Sequence, residues 1–492
     1  MNNLTGILGS LKKEELSLLE AYCQNLADRG YEIRLRLLEL FKEGKVETDQ
    51  QACKILYSAT YSPAFSRIKE KMIYDVCRII LLQNPESLSP IPWLKAGLEC
   101  RTLYSVGEVF LARNAREEGI TLLNKALAIS RRYDLIPEMI SILQILSSEE
   151  GFNKGWEKFN DLQREVDQYL EELQEVITAR RHYFSVLLPN IFNHHQEMDK
   201  YNSRIGAMIS EVENMNHFGK STFLMFFYYN LKVFKSELDQ DYIALKSNAE
   251  NLLKFTQSSH ALDCKPHLGA ANLQLANAHI MLRNYKEAIR YGNLGLKNFE
   301  RGNFNELQLL EIIYLAAMLE GDLKEAERAL KKALKNPNAK IDRNEEGYSF
   351  TFEKWQVYEA FYFYKNQEYQ RVRRRITKIR RLLRDSIYWY FSVRLLEVYT
   401  DIATEGQPGD TIAAIEKQMQ RKQQTSNRLK LIVNILSMLD KNNLNFNQTA
   451  TDMQSSLKKL YDHEGQHAFN PWAGEVIPFE EWFYGNCEGV IE

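Results

Sequence analysis

A chain of 492 residues is longer than one helical core organises, so several domains or a stack of repeated units is expected. Its 45% apolar fraction, with 24 Phe, 26 Tyr and 6 Trp, excludes a disordered chain, and 23 Gly with 11 Pro is too sparse for a turn-rich all-β fold. The balance of 63 basic against 65 acidic residues gives a formal charge of −2 and no whole-protein attraction to nucleic acid or anionic lipid.

Apolar residues at Leu16, Leu19, Cys23 and Leu26 predict a first helix, with Ser10 placed to cap its orphan amides. A second helix is expected from Glu32 to Lys42, closed by Gly44, and a short third from Asp49. Ser62 and Pro63 supply a cap and a first-turn residue for the stripe Phe65, Ile68, Met72, Val76, Ile79 and Ile80. Pro85, Pro90 and Pro92 then forbid a continuing helix, which places a boundary near residue 90. From Leu94 onward the pattern becomes helix, turn, helix, repeated. Residues 150–260 read as further hairpins, with one turn at Leu238–Asp241. The stretch 350–383 has the same shape with a turn at Lys365–Gln367. Helices are expected at Tyr388–Ile402, at a polar stretch ending near Gln424 and at Leu429–Leu439. The Asn-rich KNNLNFNQTATD is expected to be a mobile connector, Asp452–Tyr461 a last helix, and the remainder a mostly irregular tail ordered by its aromatics.

Small residues recur where two antiparallel helices approach closely: Gly107, Gly119 and Ala126; Ala276, Ala288 and Gly295; Gly321, Ala326 and Ala333. With the turn residues Asn284, Tyr285 and Glu287, and Asp322, Leu323 and Glu325, these segments resemble the tetratricopeptide repeat, a 34-residue helix-turn-helix unit. The resemblance covers residues 269–337 and, with fewer matches, 94–134. The family's helix A Trp is replaced by Leu103, Asn272 and Leu310. The resemblance implies an all-α superhelix of hairpins whose first helices line a concave surface that recognises proteins or peptides. It names a scaffold and no chemistry.

Three other features bear on function. His463, Glu464, Gly465, Gln466 and His467 spell H-E-x-x-H, which on a helix puts two imidazoles on one zinc ion with the Glu as general base, and Glu475, Glu480 or Glu481 could complete the set. Gly465 disfavours that helix and no protease-like domain surrounds it, so a zinc metallopeptidase is the alternative to a chance match in a structural tail. Between Arg371 and Arg384 eight cations fall within 14 residues, a density that could grip phosphates as a nucleic-acid-associated regulator or an acidic protein partner. The interleaved Val372, Ile376, Ile379 and Leu383 favour an ordinary half-buried helix whose basic stems solvate its other side. In the aromatic runs Phe226–Tyr229, Phe361–Tyr364 and Tyr388–Phe391, helical geometry sends part of each run into the core and part toward a groove.

Six cysteines, Cys23, Cys53, Cys77, Cys100, Cys264 and Cys487, show no short paired spacing, and a reducing compartment fits them. The N-terminus lacks the basic and apolar regions of a signal peptide, and no stretch of 18 uncharged apolar residues occurs, so a cytoplasmic location without membrane contact is expected. The expected organisation is an N-terminal helical cap at 1–90, tetratricopeptide-like hairpins at 91–440 and a connector and tail at 441–492. The expected function is that of a non-enzymatic scaffold or adaptor without a cofactor, its partner a protein or peptide held by Tyr358, Tyr362, Tyr388, Arg374, Arg381 and Arg384.

Overall fold

A computed structural model describes residues 4–25, 30–83, 91–192, 200–299, 301–340, 351–379, 387–421, 426–462 and 467–487. The fold is all-α, with no strand among the described residues. The chain divides into two compact units, 1–149 and 150–492, and the division falls inside the stretch expected to be one run of hairpins.

The first unit opens with α1 (Leu4–Gly9), α2 (Lys13–Gln24), α3 (Tyr31–Lys42), α4 (Asp49–Tyr57) and α5 (Pro63–Leu81). Ser10 does not cap α2. Its hydroxyl donates back to the Ile7 carbonyl at 2.7 Å, while Glu15 accepts the Lys12 amide at 2.7 Å and closes the start of α2. Thr48 and Gln51 form a reciprocal capping box on α4. The Asp49 carboxylate accepts the Leu4 and Thr5 amides and pairs with Lys69 at 3.0 Å, tying α1 and α5 to α4. A buried Arg34–Asp75 pair at 3.1 Å joins α3 to α5. Next come α6 (Pro92–Ala112) and α7 (Arg116–Arg132), which cross where the sequence has glycines. A Cβ at Gly119 would lie 2.9 Å from Leu111 and 3.0 Å from the Gly107 carbonyl, so this approach requires glycine. After α7 comes α8 (Ile136–Lys154), within which the two units divide.

The second unit begins with the 37-residue α9 (Trp156–Phe192), which packs on α10 (Ile205–Glu213) and α11 (Thr222–Leu238). The chain then doubles back repeatedly through α12 (Tyr242–Ser258), α13 (Lys265–Met281), α14 (Tyr285–Leu296), α15 (Phe304–Glu320), α16 (Leu323–Ala333), α17 (Thr351–Lys365), α18 (Tyr369–Ile379), α19 (Ile387–Ala403), α20 (Gly409–Arg421) and α21 (Asn427–Lys441). Each of these helices packs on the next, and the first helices of neighbouring hairpins touch, α13 on α15 and α17 on α19. This is the packing of a helical-repeat architecture.

Small residues make the contacts close. Ala276, Ala288, Ala326 and Ala333 are fully buried, and a Cβ at Gly292 or Gly295 would come within 2.7 Å of Ile313 or Leu309 on α15. Helix α15 ends at Gly321, whose φ of 84° is left-handed, and Asp322 caps α16 by accepting the Glu325 amide at 3.0 Å. From Leu309 to Met318 every residue of α15 is buried, so this stretch of the helix has no solvent face.

The expected connector and irregular tail are more regular than their composition suggests. Asn445 accepts the Gln448 amide at 2.9 Å and starts α22 (Phe446–Asp452), which is followed by α23 (Gln454–Tyr461). After a 3-10 turn at Pro471–Ala473 comes α24 (Phe479–Gly485), whose Phe479, Trp482 and Phe483 are buried. The Asn and Pro residues that mark these stretches as loops serve as helix starts.

Candidate partner-binding surface

The side chains expected to hold a partner have different fates. Tyr358 faces the core and not a groove: it is fully buried on α17, and its hydroxyl donates to Glu311 of α15 at 2.5 Å. Lys354 pairs with the same carboxylate at 2.5 Å, and the Tyr358 carbonyl accepts the Tyr314 hydroxyl at 2.5 Å. Burial, and then the Glu311 charge, push the Tyr358 phenol well above its ordinary pKa. Tyr358 is thus a cross-link between two first helices. Trp355, Phe361 and Phe363 are also buried.

Tyr362 is half-buried, and its hydroxyl lies beside Glu327 of α16 and Asn366 at the end of α17. Burial raises its pKa first, and the Glu327 charge adds to this. Tyr388 stands in the first turn of α19, with its side chain outside the described residues.

The basic helix α18 turns Val372, Ile376 and Ile379 inward, as its apolar stripe requires. Much of its charge is spent inside the fold. Arg371 pairs with Glu368 at 2.5 Å and covers the Phe363 ring at 4.1 Å. Arg373 reaches Asp401 of α19 at 3.2 Å and, just past that helix, the Thr404 hydroxyl at 2.8 Å, and Arg375 bonds Glu359 and Gln356 on α17. Arg374 and Lys378, one turn apart and exposed, have no ion-pair partner among the described residues. Arg381 and Arg384 lie outside the described residues.

The C-terminal segment lies on side chains of the first helices. Trp482 packs on Tyr399 of α19, and Ser392 of the same helix donates to the Gly474 carbonyl. On α21, Arg428 is buried with both Glu475 oxygens at 2.7 Å, Glu480 at 2.5 Å and the His467 carbonyl at 2.8 Å. Two carboxylates share one guanidinium, and Glu475 also accepts the Phe479 amide at 2.8 Å, opening α24. Burial raises the Glu480 pKa to about 7.

This arrangement bears on the H-E-x-x-H motif. His463 and Glu464 lie outside the described residues, and Glu475 and Glu480, two of the carboxylates available as a third ligand, are held by Arg428. Among the described residues no group of three His, Cys, Asp or Glu side chains could hold a metal ion. The Arg428 clamp escaped sequence reasoning, although Arg428 stands one turn before Ile432 on a stripe continued by Leu436 and Leu439, where a lone cation signals a buried partner.

A cavity of about 520 Å³ opens between α10, α11 and α12. Its polar groups serve one another: Lys235 pairs with Asp239, and the Ser236 hydroxyl accepts from Asn248 at 2.8 Å. No described helix is long and apolar enough to cross a membrane. No protein-family model matches the chain, and no curated protein sequence matches it.

Proposed function

We propose that this protein is a cytoplasmic scaffold or adaptor of the tetratricopeptide-like kind, which binds a protein or peptide on the surface of its helical hairpins. The observation that carries this reading is the stack of the second unit: successive hairpins, spaced by buried Ala and Gly, expose the repeated sides of many helices. Contacts are assigned to Tyr362, Tyr388, Arg374, Arg381 and Arg384. Tyr358 is left out because its hydroxyl and ring are consumed within the core.

The test is quantitative capture by the full-length protein from its native source, with proteins identified by mass spectrometry and the leading partner then titrated in purified form. Replacing Tyr362 by Ala is expected to weaken that partner by about 2 kcal/mol, the effect of losing an interface anchor. Equal affinity of wild type and variant, both folded, would remove Tyr362 from the binding surface.

A further inference from the structure

Tyr362 sits between the second helices of two successive hairpins. Glu327 and Lys331 act on its hydroxyl from α16, and Arg371 of α18 lies close enough to feel the same phenol. Helices α16 and α18 begin after equivalent turns, at Leu323 and Tyr369, and each returns along its own first helix. Counted from those turns, Arg328 stands level with Arg374 and Lys332 with Lys378.

The charges on this face do not cancel. Arg328 pairs with Glu325, Lys331 with Glu327 at 2.7 Å, and Arg371 with Glu368. Lys332, Arg374 and Lys378 are exposed and have no ion-pair partner among the described residues. The exposed sides of α16 and α18 therefore carry discrete uncompensated cations, and Tyr362 is a half-buried phenol within electrostatic reach of Lys331 on one helix and Arg371 on the other. Across the stack, the first-helix side near Tyr364, Tyr399 and Arg428 is already covered by the chain's own residues 467–487.

Resting on the scaffold reading above, we propose that the α16–α18 face centred on Tyr362 docks an acidic segment of a partner protein. Carboxylates on that segment meet Arg374 and Lys378 on one helix and Lys332 on the other, while Tyr362 supplies the apolar and hydrogen-bonding anchor between them. A protein segment fits better than a nucleic acid. Glu325, Glu327 and Glu368 interrupt the cations, so no continuous rail follows a phosphate backbone.

The experiment uses the full-length protein and a dye-labelled peptide of alternating Glu and Gly with one central Phe, followed by fluorescence anisotropy. Saturable binding is expected, weaker at ~0.15 M than at ~0.05 M salt because the contacts are exposed charges. Arg374→Glu with Lys378→Glu should weaken it by about tenfold or more. The same charge change on α12, Lys246→Glu with Lys254→Glu, should leave it unchanged, and circular dichroism should show both pairs folded. Absence of saturable binding, equal weakening by the α12 pair, or tighter binding of single-stranded RNA that the α18 reversal abolishes would each overturn the proposal. A native partner that needs Tyr362 but is indifferent to the reversal would reject the acidic class and leave the scaffold reading standing.

Discussion

The Trp482 indole stacks on the Tyr399 ring with centroids 4.0 Å apart and 25° between planes, and its Nε1 donates to the Tyr364 hydroxyl at 3.2 Å. Both tyrosines belong to first helices, so the C-terminal segment is part of the second unit's core. Trp482→Ala should destabilise the protein by ~3–5 kcal/mol, as emptying a large core site does. Denaturant melts would show it, and a change of a few tenths of a kcal/mol would mean that the segment merely rests on the surface.

Removing Arg428 strands two buried carboxylates. Arg428→Ala should cost about 3–5 kcal/mol, whereas Arg428→Met with Glu475→Gln and Glu480→Gln should recover much of that loss because no charge is left unpaired. If the single and triple variants melt alike, the guanidinium acts by packing alone.

Burial of Glu480 also sets a pH dependence, against the pull of the Arg428 charge. Glu480 has its pKa raised from 4.5 to about 7 by burial, so the folded state holds a proton that the unfolded state releases. Its contribution is therefore complete below pH 4.5 and is lost as pH rises through about 7. Wild type compared with Glu480→Gln should show a stability difference that changes across this window. Parallel pH profiles for the two proteins would rule out a raised Glu480 pKa.

Ala326 is fully buried at a helix contact. Ala326→Leu should overpack that contact and cost ~1–3 kcal/mol in denaturant melts. A well-folded variant of unchanged stability would mean that the neighbouring helix has room there.

Adjacent aromatics on α17 should separate in their effects. Phe363→Ala should cost ~3–5 kcal/mol because the ring is buried, and Tyr362→Ala distinctly less because its side chain is partly solvated. Equal losses in thermal melts would make Tyr362 a packing residue.

The hairpins were legible because their small residues and turns are local: Gly107 with Gly119, or Gly321 with Asp322, announce a close approach or a cap within one stretch of chain. The side taken by Tyr358 was not. Helix α17 is buried on more than one face, so hydrophobic periodicity no longer tells a groove from a neighbouring helix. Glu311, which receives the Tyr358 hydroxyl, lies 47 residues earlier, and Arg428 meets Glu480 at a separation of 52. Pairings at such distances are chosen by the tertiary fold. Helix α24 was missed for the same reason, since its stabilising contacts come from α19, α21 and α22. The basic character of α18 was visible at once, but the pairing of Arg373 with Asp401 on the following helix was not.

The burial of α15 on every side between Leu309 and Met318 has a dynamic consequence. Its backbone amides can meet solvent only when the hairpins before and after it separate, so fraying from an exposed face is closed to them. In native-state hydrogen exchange, amides from Leu310 to Met318 should be among the slowest in the second unit and should share one opening free energy. Substitutions in either flanking hairpin should then lower the protection of α15 as much as substitutions in α15 itself, which makes this helix a built-in gauge of how cooperatively the stack holds together.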